Sequence, residues 1–249
     1  MTGPLAEAVD IVKFLGRGAG QVQALKGISL ALSGGELALL MGPSGSGKTT
    51  LLSIMGCMLR STSGAVRVCG KSTEGLGPEE MAKLRRDHIG FVFQSYHLFP
   101  TLTAAENVQL VFDVRGENSA RALAKAKDAL ATVGLPHKLK SFPLELSSGE
   151  QQRVAIARAI VGDASVILAD EPTAALDSEN GRAIMGILAD IAKEPARTVL
   201  VVSHDSRILP FADRVVHMED GHIVREDRGG AGFSKRSEVE RAVIGRRKG

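Results

Sequence analysis

Short apolar runs alternate with longer stretches of helical periodicity along most of this chain, the pattern of a mainly parallel sheet covered by helices. Strands are predicted at 9–14, 28–32, 36–41 and 65–69, separated by glycine turns such as Ser33-Gly34-Gly35. One helix is predicted to begin near Gly47 and another near Pro78, whose ring suits a first helical turn. A buried strand at 88–93 comes next. From residue 95 to about 162 strand signals vanish and helices are predicted at 104–112, 120–133 and 148–161. The strand pattern resumes at 166–170, followed by a helix at 179–193, a strand at 198–203 and a hairpin around Glu219-Asp220-Gly221. This predicts one domain over 1–228, with a β-richer N-terminal part, core segments 1–94 and 163–228, and an inserted helical lobe over 95–162. Gly229-Gly230-Ala231-Gly232 reads as the start of a flexible basic tail over 229–249.

A chain of 249 residues buries roughly three-quarters of its unfolded surface and needs no staples. The net charge of +3 is too weak to argue for nucleic acid, and none is expected as a partner. No run approaches the roughly 18 apolar residues of a membrane span. The N-terminus shows no apolar h-region, so a soluble, cytoplasmic location is expected. Cys57 and Cys69 stand without a second pair, and the six scattered histidines do not complete a zinc set, so both read as small reduced side chains.

Chemistry enters at Gly42-Pro43-Ser44-Gly45-Ser46-Gly47-Lys48-Thr49, which fits G-x-x-x-x-G-K-[ST] between a strand and a helix. Such glycines let successive N–H groups converge on phosphate oxygens, and the helix adds its positive end. Lys48 is expected to reach the β- and γ-phosphates, the Thr49 hydroxyl to take one Mg²⁺ position, and Thr50 to stand beside them. Val166-Ile167-Leu168-Ala169-Asp170-Glu171 ends an apolar strand on two carboxylates. Asp170 suits Mg²⁺, and Glu171, pointing differently, suits polarisation of an attacking water. A bare acidic pair could equally be a solvated strand end; the phosphate loop upstream tips the reading toward catalysis.

Leu146-Ser147-Ser148-Gly149-Glu150-Gln151-Gln152-Arg153 resembles the signature of ATP-binding-cassette ATPases, usually L-S-G-G-[QE]. Phosphate loop, Gln94, signature, Asp170-Glu171, Ala175-Leu176-Asp177 and His204 occur in the order of that family, over residues 9–227. The resemblance implies a P-loop NTPase core of the RecA type with an N-terminal antiparallel β-subdomain and an inserted helical subdomain. It implies ATP and Mg²⁺, and two copies packed head to tail, with Ser147, Ser148, Gly149 and Glu150 of one copy contacting the ATP of the other. Glu171, His204 and Gln94 are then the catalytic set, with Gln94 also near Mg²⁺, His204 on the γ-phosphate, and Asp177 at the dimer seam. Gly149 is expected where backbone approaches phosphate most closely.

Two departures stand out. Ser148 occupies a position that is usually glycine, and is expected to keep helical φ. The adenine-stacking aromatic is displaced: Leu15 lies at its position and Phe14 precedes it, leaving Phe14 either as the stacking residue or as ordinary core. Phrases such as Gln21-Val22-Gln23-Ala24-Leu25-Lys26-Gly27 and His204-Asp205-Ser206-Arg207-Ile208-Leu209 resemble the subgroup of lipoprotein release, macrolide export and heterocyst glycolipid export (the LolD, MacB and DevA type), the glycolipid type most of all. That implies an integral membrane permease with few spans, a periplasmic adaptor, and a peripheral place on the cytoplasmic face of the inner membrane. A cell-division relative of the subgroup, which signals without transport, is the alternative, and soluble DNA-repair or ribosome-associated cassettes are a third.

Overall fold

The structure, a computed structural model, describes residues 3–229. The basic tail, with the linker beyond Gly229, lies outside the described residues. A six-stranded sheet carries the chain in the order β10-β9-β3-β8-β7-β6, from β3 (Glu36–Met41), β6 (Ile89–Val92), β7 (Val166–Asp170), β8 (Thr198–Ser203), β9 (Arg214–Glu219) and β10 (His222–Arg228). The β3–β8, β7–β8, β6–β7 and β3–β9 pairings are parallel and only β9–β10 is antiparallel. Parallel strands need covering on both faces, which is why β8 is buried at all six positions.

The period of two along β3 divides the interior. Leu37, Leu39 and Met41 face a core shared with α3 (Ala104–Asp113), α4 (Ser119–Thr132), α5 (Ser148–Ile160) and α6 (Ser178–Ala192). Ala38 and Leu40 face the opposite core, shared with α1 (Lys48–Met55), α2 (Pro78–His88) and a second sheet. That sheet is antiparallel, in the order β2-β1-β4-β5, from β1 (Ala6–Leu15), β2 (Val22–Leu32), β4 (Ser63–Val68) and β5 (Lys71–Ser72). β1 and β2 run longer than their apolar halves suggest, because each has a solvated face whose polar residues mask the strand. The α3, α4 and α5 helices pack on one another. The antiparallel subdomain and the P-loop core are therefore as the resemblance implied.

Register fixes the functional edge. Met41 of β3 pairs with Ser203 of β8, and Asp170 of β7 pairs with Val202. The C-terminal ends of these strands are level, so the segments that leave them meet at one edge of the sheet, as ligand sites of open α/β sheets do. The β9–β10 turn has Asp220 at φ 45° and Gly221 at φ 77°, the two positive angles of a tight hairpin.

Candidate functional site

The loop 42–47 leaves the end of β3, and its glycines are dictated by approach. A Cβ on Gly42 would stand 2.0 Å from the Met218 carbonyl oxygen. Gly47 has φ 99°, and a Cβ there would meet the Ala24 carbonyl oxygen at 2.7 Å. The loop is braced from behind by the β9–β10 turn, where the Gly221 N–H donates to the Ser46 carbonyl at 3.1 Å. Lys48 opens α1 and folds back, its Nζ donating to the Gly42 and Pro43 carbonyls at 2.8 Å each. Burial pulls the Lys48 ammonium below its ordinary pKa, while the Glu171 and Asp170 carboxylates oppose that pull.

The end of β7 lies beside this loop. The Thr49 hydroxyl donates to Asp170 Oδ1 at 3.2 Å. Burial pushes the Asp170 carboxyl up in pKa, and the Thr49 hydroxyl works against that. Glu171 takes φ 47°, a left-handed geometry costing a side chain about 1–3 kcal/mol, and is tied there by its N–H to the Val202 carbonyl at 3.0 Å. Glu171 Oε1 accepts from His204 Nδ1 at 2.8 Å and Oε2 accepts from the Ser203 hydroxyl at 3.3 Å. The His204 side chain is 72% exposed against 17% for Glu171, so the imidazole stands over the carboxylate from the solvent side.

These groups open on a cleft of about 790 Å³ lined by the 44–50 segment, Gln94, Glu171 and His204, with Leu15, Val22, Lys26 and Gly221 on its other side. Phe14 does not line it. The cleft receives Leu15, which pairs across the hairpin with Val22, while Phe14 pairs with Gln23. Sequence reasoning misses Ser203, Lys26 and the Asp220-Gly221 turn as parts of the site. Only Ser203 leaves a trace there, as the hydroxyl residue before His204.

The signature residues form a separate group. Ser147 caps α5, its hydroxyl accepting from the Glu150 N–H at 3.3 Å while Glu150 Oε2 accepts from the Ser147 N–H at 2.9 Å. The hydrogen bond from the Ser147 backbone, first among several contacts, holds the Glu150 carboxyl below the usual range, and Lys138 bridges its other oxygen at 3.1 Å. Glu150 is thus committed within its own chain. The N–H groups of Ser148 and Gly149 have no hydrogen-bond partner among the described residues. Ser148 is exposed and in the first helical turn, with φ outside the positive region. Gly149 is buried, and a Cβ there would stand 2.8 Å from Asn180 Oδ1. Asn180 in turn donates from Nδ2 to Asp177 Oδ2 at 2.7 Å, and Asp177 Oδ1 accepts from the Glu179 and Asn180 N–H groups as the cap of α6. Neither the signature nor Asp177 lines the cleft.

The cleft offers the glycine-rich loop, its lysine and the Thr49 hydroxyl, with the Asp170 carboxylate hydrogen-bonded to Thr49, a set that fits a triphosphate and the few protein ligands Mg²⁺ takes beside phosphates. Among the described residues no helix is long and apolar enough to cross a membrane.

Comparison with known proteins agrees with the geometry. The family model described as ABC transporter matches residues 25–174. The macrolide export ATP-binding/permease proteins MacB of Shigella flexneri and of Escherichia coli (strain K12) are each 44% identical over 222 residues, 89% of this chain and 34% of theirs. The chain therefore spans about a third of the length of these relatives. Among solved structures, the dimeric post-hydrolysis state of the ATP-binding cassette MJ0796 bound to ADP and Pi is 39% identical at TM-score 0.82, covering 90% of this chain and 98% of that one. The cbiO1 protein of Clostridium perfringens, part of the ABC transporter complex cbiONQ, is 26% identical at TM-score 0.83, covering 97% and 95%. With well over half of its length matched and a cleft shaped for Mg·ATP, this chain belongs to the ABC transporter family, as an ATP-hydrolysing cassette.

Proposed function

We propose that the chain is the motor subunit of an exporter, in which two copies close head to tail over two ATP molecules and drive a few-span permease that moves lipids, lipoproteins or other amphiphiles. The observation that carries the shared site is the separation of two half-sites. The free Ser148 and Gly149 N–H groups lie off the cleft, near the Asn180 that Asp177 holds, and this supports their serving the nucleotide of another copy. Lys48 and the 42–47 loop hold the phosphates, Thr49 and Asp170 hold Mg²⁺ with Gln94 beside it, and Leu15 and Val22 supply an apolar platform for the base. Glu171 is the general base, with one carboxylate oxygen steadied by Ser203 and the other by His204, whose Nε2, when the ring is protonated, is left to donate to the γ-phosphate. The export reading rests on the macrolide exporters among the relatives, which carry a permease in the same chain. The residues 95–162 form the lobe that meets the permease. A groove of about 580 Å³ beside it, rimmed by Arg85, Arg86 and Arg115 with Phe99 and Val114 exposed, suits an amphipathic permease segment bearing carboxylates.

Light scattering of the Glu171→Gln variant in Mg·ATP tests the core of this reading. Hydrolysis is expected to fall by ~10²–10⁴-fold, the usual worth of a general base, with ATP still bound and a homodimer accumulating. Lys48→Ala is expected to stay monomeric. A Glu171→Gln protein that binds ATP normally yet remains monomeric defeats the shared site.

A further inference from the structure

Gln94 makes no side-chain hydrogen bond among the described residues, so its place in the cleft is set by the backbone after it. That backbone is unusual. Tyr96 and His97 both take left-handed angles, φ 60° and 49°, a pairing that two side-chain-bearing residues do not adopt without outside support. Within the turn, the Tyr96 N–H donates to the Phe93 carbonyl at 3.2 Å and the His97 N–H to the Ser95 carbonyl at 2.6 Å. The His97 ring also lies 4.6 Å from the Phe93 ring. The remaining support comes from a distant element. Arg158, in the last turn of α5, donates from Nη2 to the Tyr96 carbonyl at 2.7 Å and from Nη1 to the His97 carbonyl at 2.5 Å. Burial pulls the Arg158 guanidinium below its ordinary pKa, and the two carbonyls are the groups its fork meets.

We infer that Arg158 is a positioning residue for Gln94, its guanidinium fork fixing the 94–97 turn to the same rigid helix whose first residues are Ser148 and Gly149. The inference rests on the role proposed for Gln94. It adds a physical link: α5 is a single 13-residue helix, so the end that meets a second copy's nucleotide and the end that grips the Gln94 turn move as one body. Arg158, His97 and Phe93 also line the arginine-rimmed groove, so a segment seated there presses on the same joint. Two carbonyls side by side call for the planar, two-pronged donor of arginine; a lysine ammonium carries the charge without the fork.

A double-mutant cycle between Arg158→Met and Gln94→Ala tests this, with turnover, KM for Mg·ATP and thermal midpoint measured on the full chain. Each single variant is expected to lose about tenfold or more in kcat with KM changed by less than about threefold, and the double variant to be no slower than the worse single. Arg158→Lys is expected to fall between wild type and Arg158→Met, and carries the cycle if the methionine variant does not fold. Losses that multiply in the double variant, or a fall in nucleotide affinity matching the fall in kcat, overturn the inference while leaving the role of Gln94 intact. Full activity in Gln94→Ala overturns both.

Discussion

The Asp170 carboxylate ends a buried strand, and partial withdrawal from water raises its proton affinity above that of an ordinary aspartate. Between the ordinary value of 3.8 and the raised folded value the native state binds more protons than the unfolded chain, so stability falls as pH rises through that window. Near neutral pH the ionised carboxylate sits at a cost that nucleotide-bound Mg²⁺ would relieve. Asp170→Asn keeps an acceptor for the Thr49 hydroxyl and removes the charge. The nucleotide-free variant is therefore expected to melt on the order of 1–4 °C above wild type near neutral pH. The gain should shrink as pH falls toward about 4, while Mg²⁺-dependent hydrolysis drops by about 100-fold or more. Calorimetry across that pH range, with phosphate release alongside, checks both halves; a variant that melts lower near neutral pH rejects the argument.

The helix α5 carries more of the chemistry than its four signature residues, and the reason for its glycine is local. The sequence reading assigns Gly149 to close approach by phosphate; within the chain itself the space is already taken by Asn180, which is held by Asp177 at 2.7 Å. A side chain at 149 thus has to push aside the Asn180 side chain and strain its hydrogen bond to Asp177 before any nucleotide arrives. Ser148, exposed and helical, has no such neighbour. Ser148→Gly is expected to change hydrolysis by less than about tenfold, or ~1.4 kcal/mol of barrier, and Gly149→Asp to abolish it. A Ser148→Gly enzyme a hundredfold faster than a near-silent parent would instead mark this cassette as degenerate. The α5 and α6 elements are readable in advance because their caps and apolar spacing are local. So is the level edge of Asp170 and the phosphate loop, since a buried strand followed by a charged residue announces where a sheet ends. The Arg158 grip on residues 62 and 61 positions away, the Met218 carbonyl behind Gly42 and the face that Leu15 presents are not, because each depends on how remote segments are laid together. The choice between Phe14 and Leu15 is of the same kind: residue type points to the aromatic, while the bulge just before Phe14 bears on which neighbour reaches the cleft.

At the scale of the molecule, the proposed function calls on two surfaces: the signature face and the groove between α2, β6, α3 and α5. Phe99 is 54% exposed and Val114 69% exposed at that groove, where covering what remains of each would contribute about 1–2 kcal/mol. Arginines on the rim favour an occupant carrying carboxylates and disfavour a basic one. The same groove touches His97 and Phe93, so an occupant there sits close along the chain to Gln94, and under the proposed function that occupant is the permease. Phe99→Asp or Val114→Asp removes apolar contact and places a carboxylate where the occupant's own would come. Phe99→Asp and Val114→Asp are expected to reduce recovery of a few-span membrane protein, pulled down with the tagged chain from detergent-solubilised membranes, by about tenfold or more. Val224→Asp, an equally exposed apolar position on β10 away from the groove, is expected to leave recovery unchanged. If the groove variants capture the membrane protein as well as Val224→Asp does, the permease is held elsewhere on the molecule and the path from groove to Gln94 loses its input.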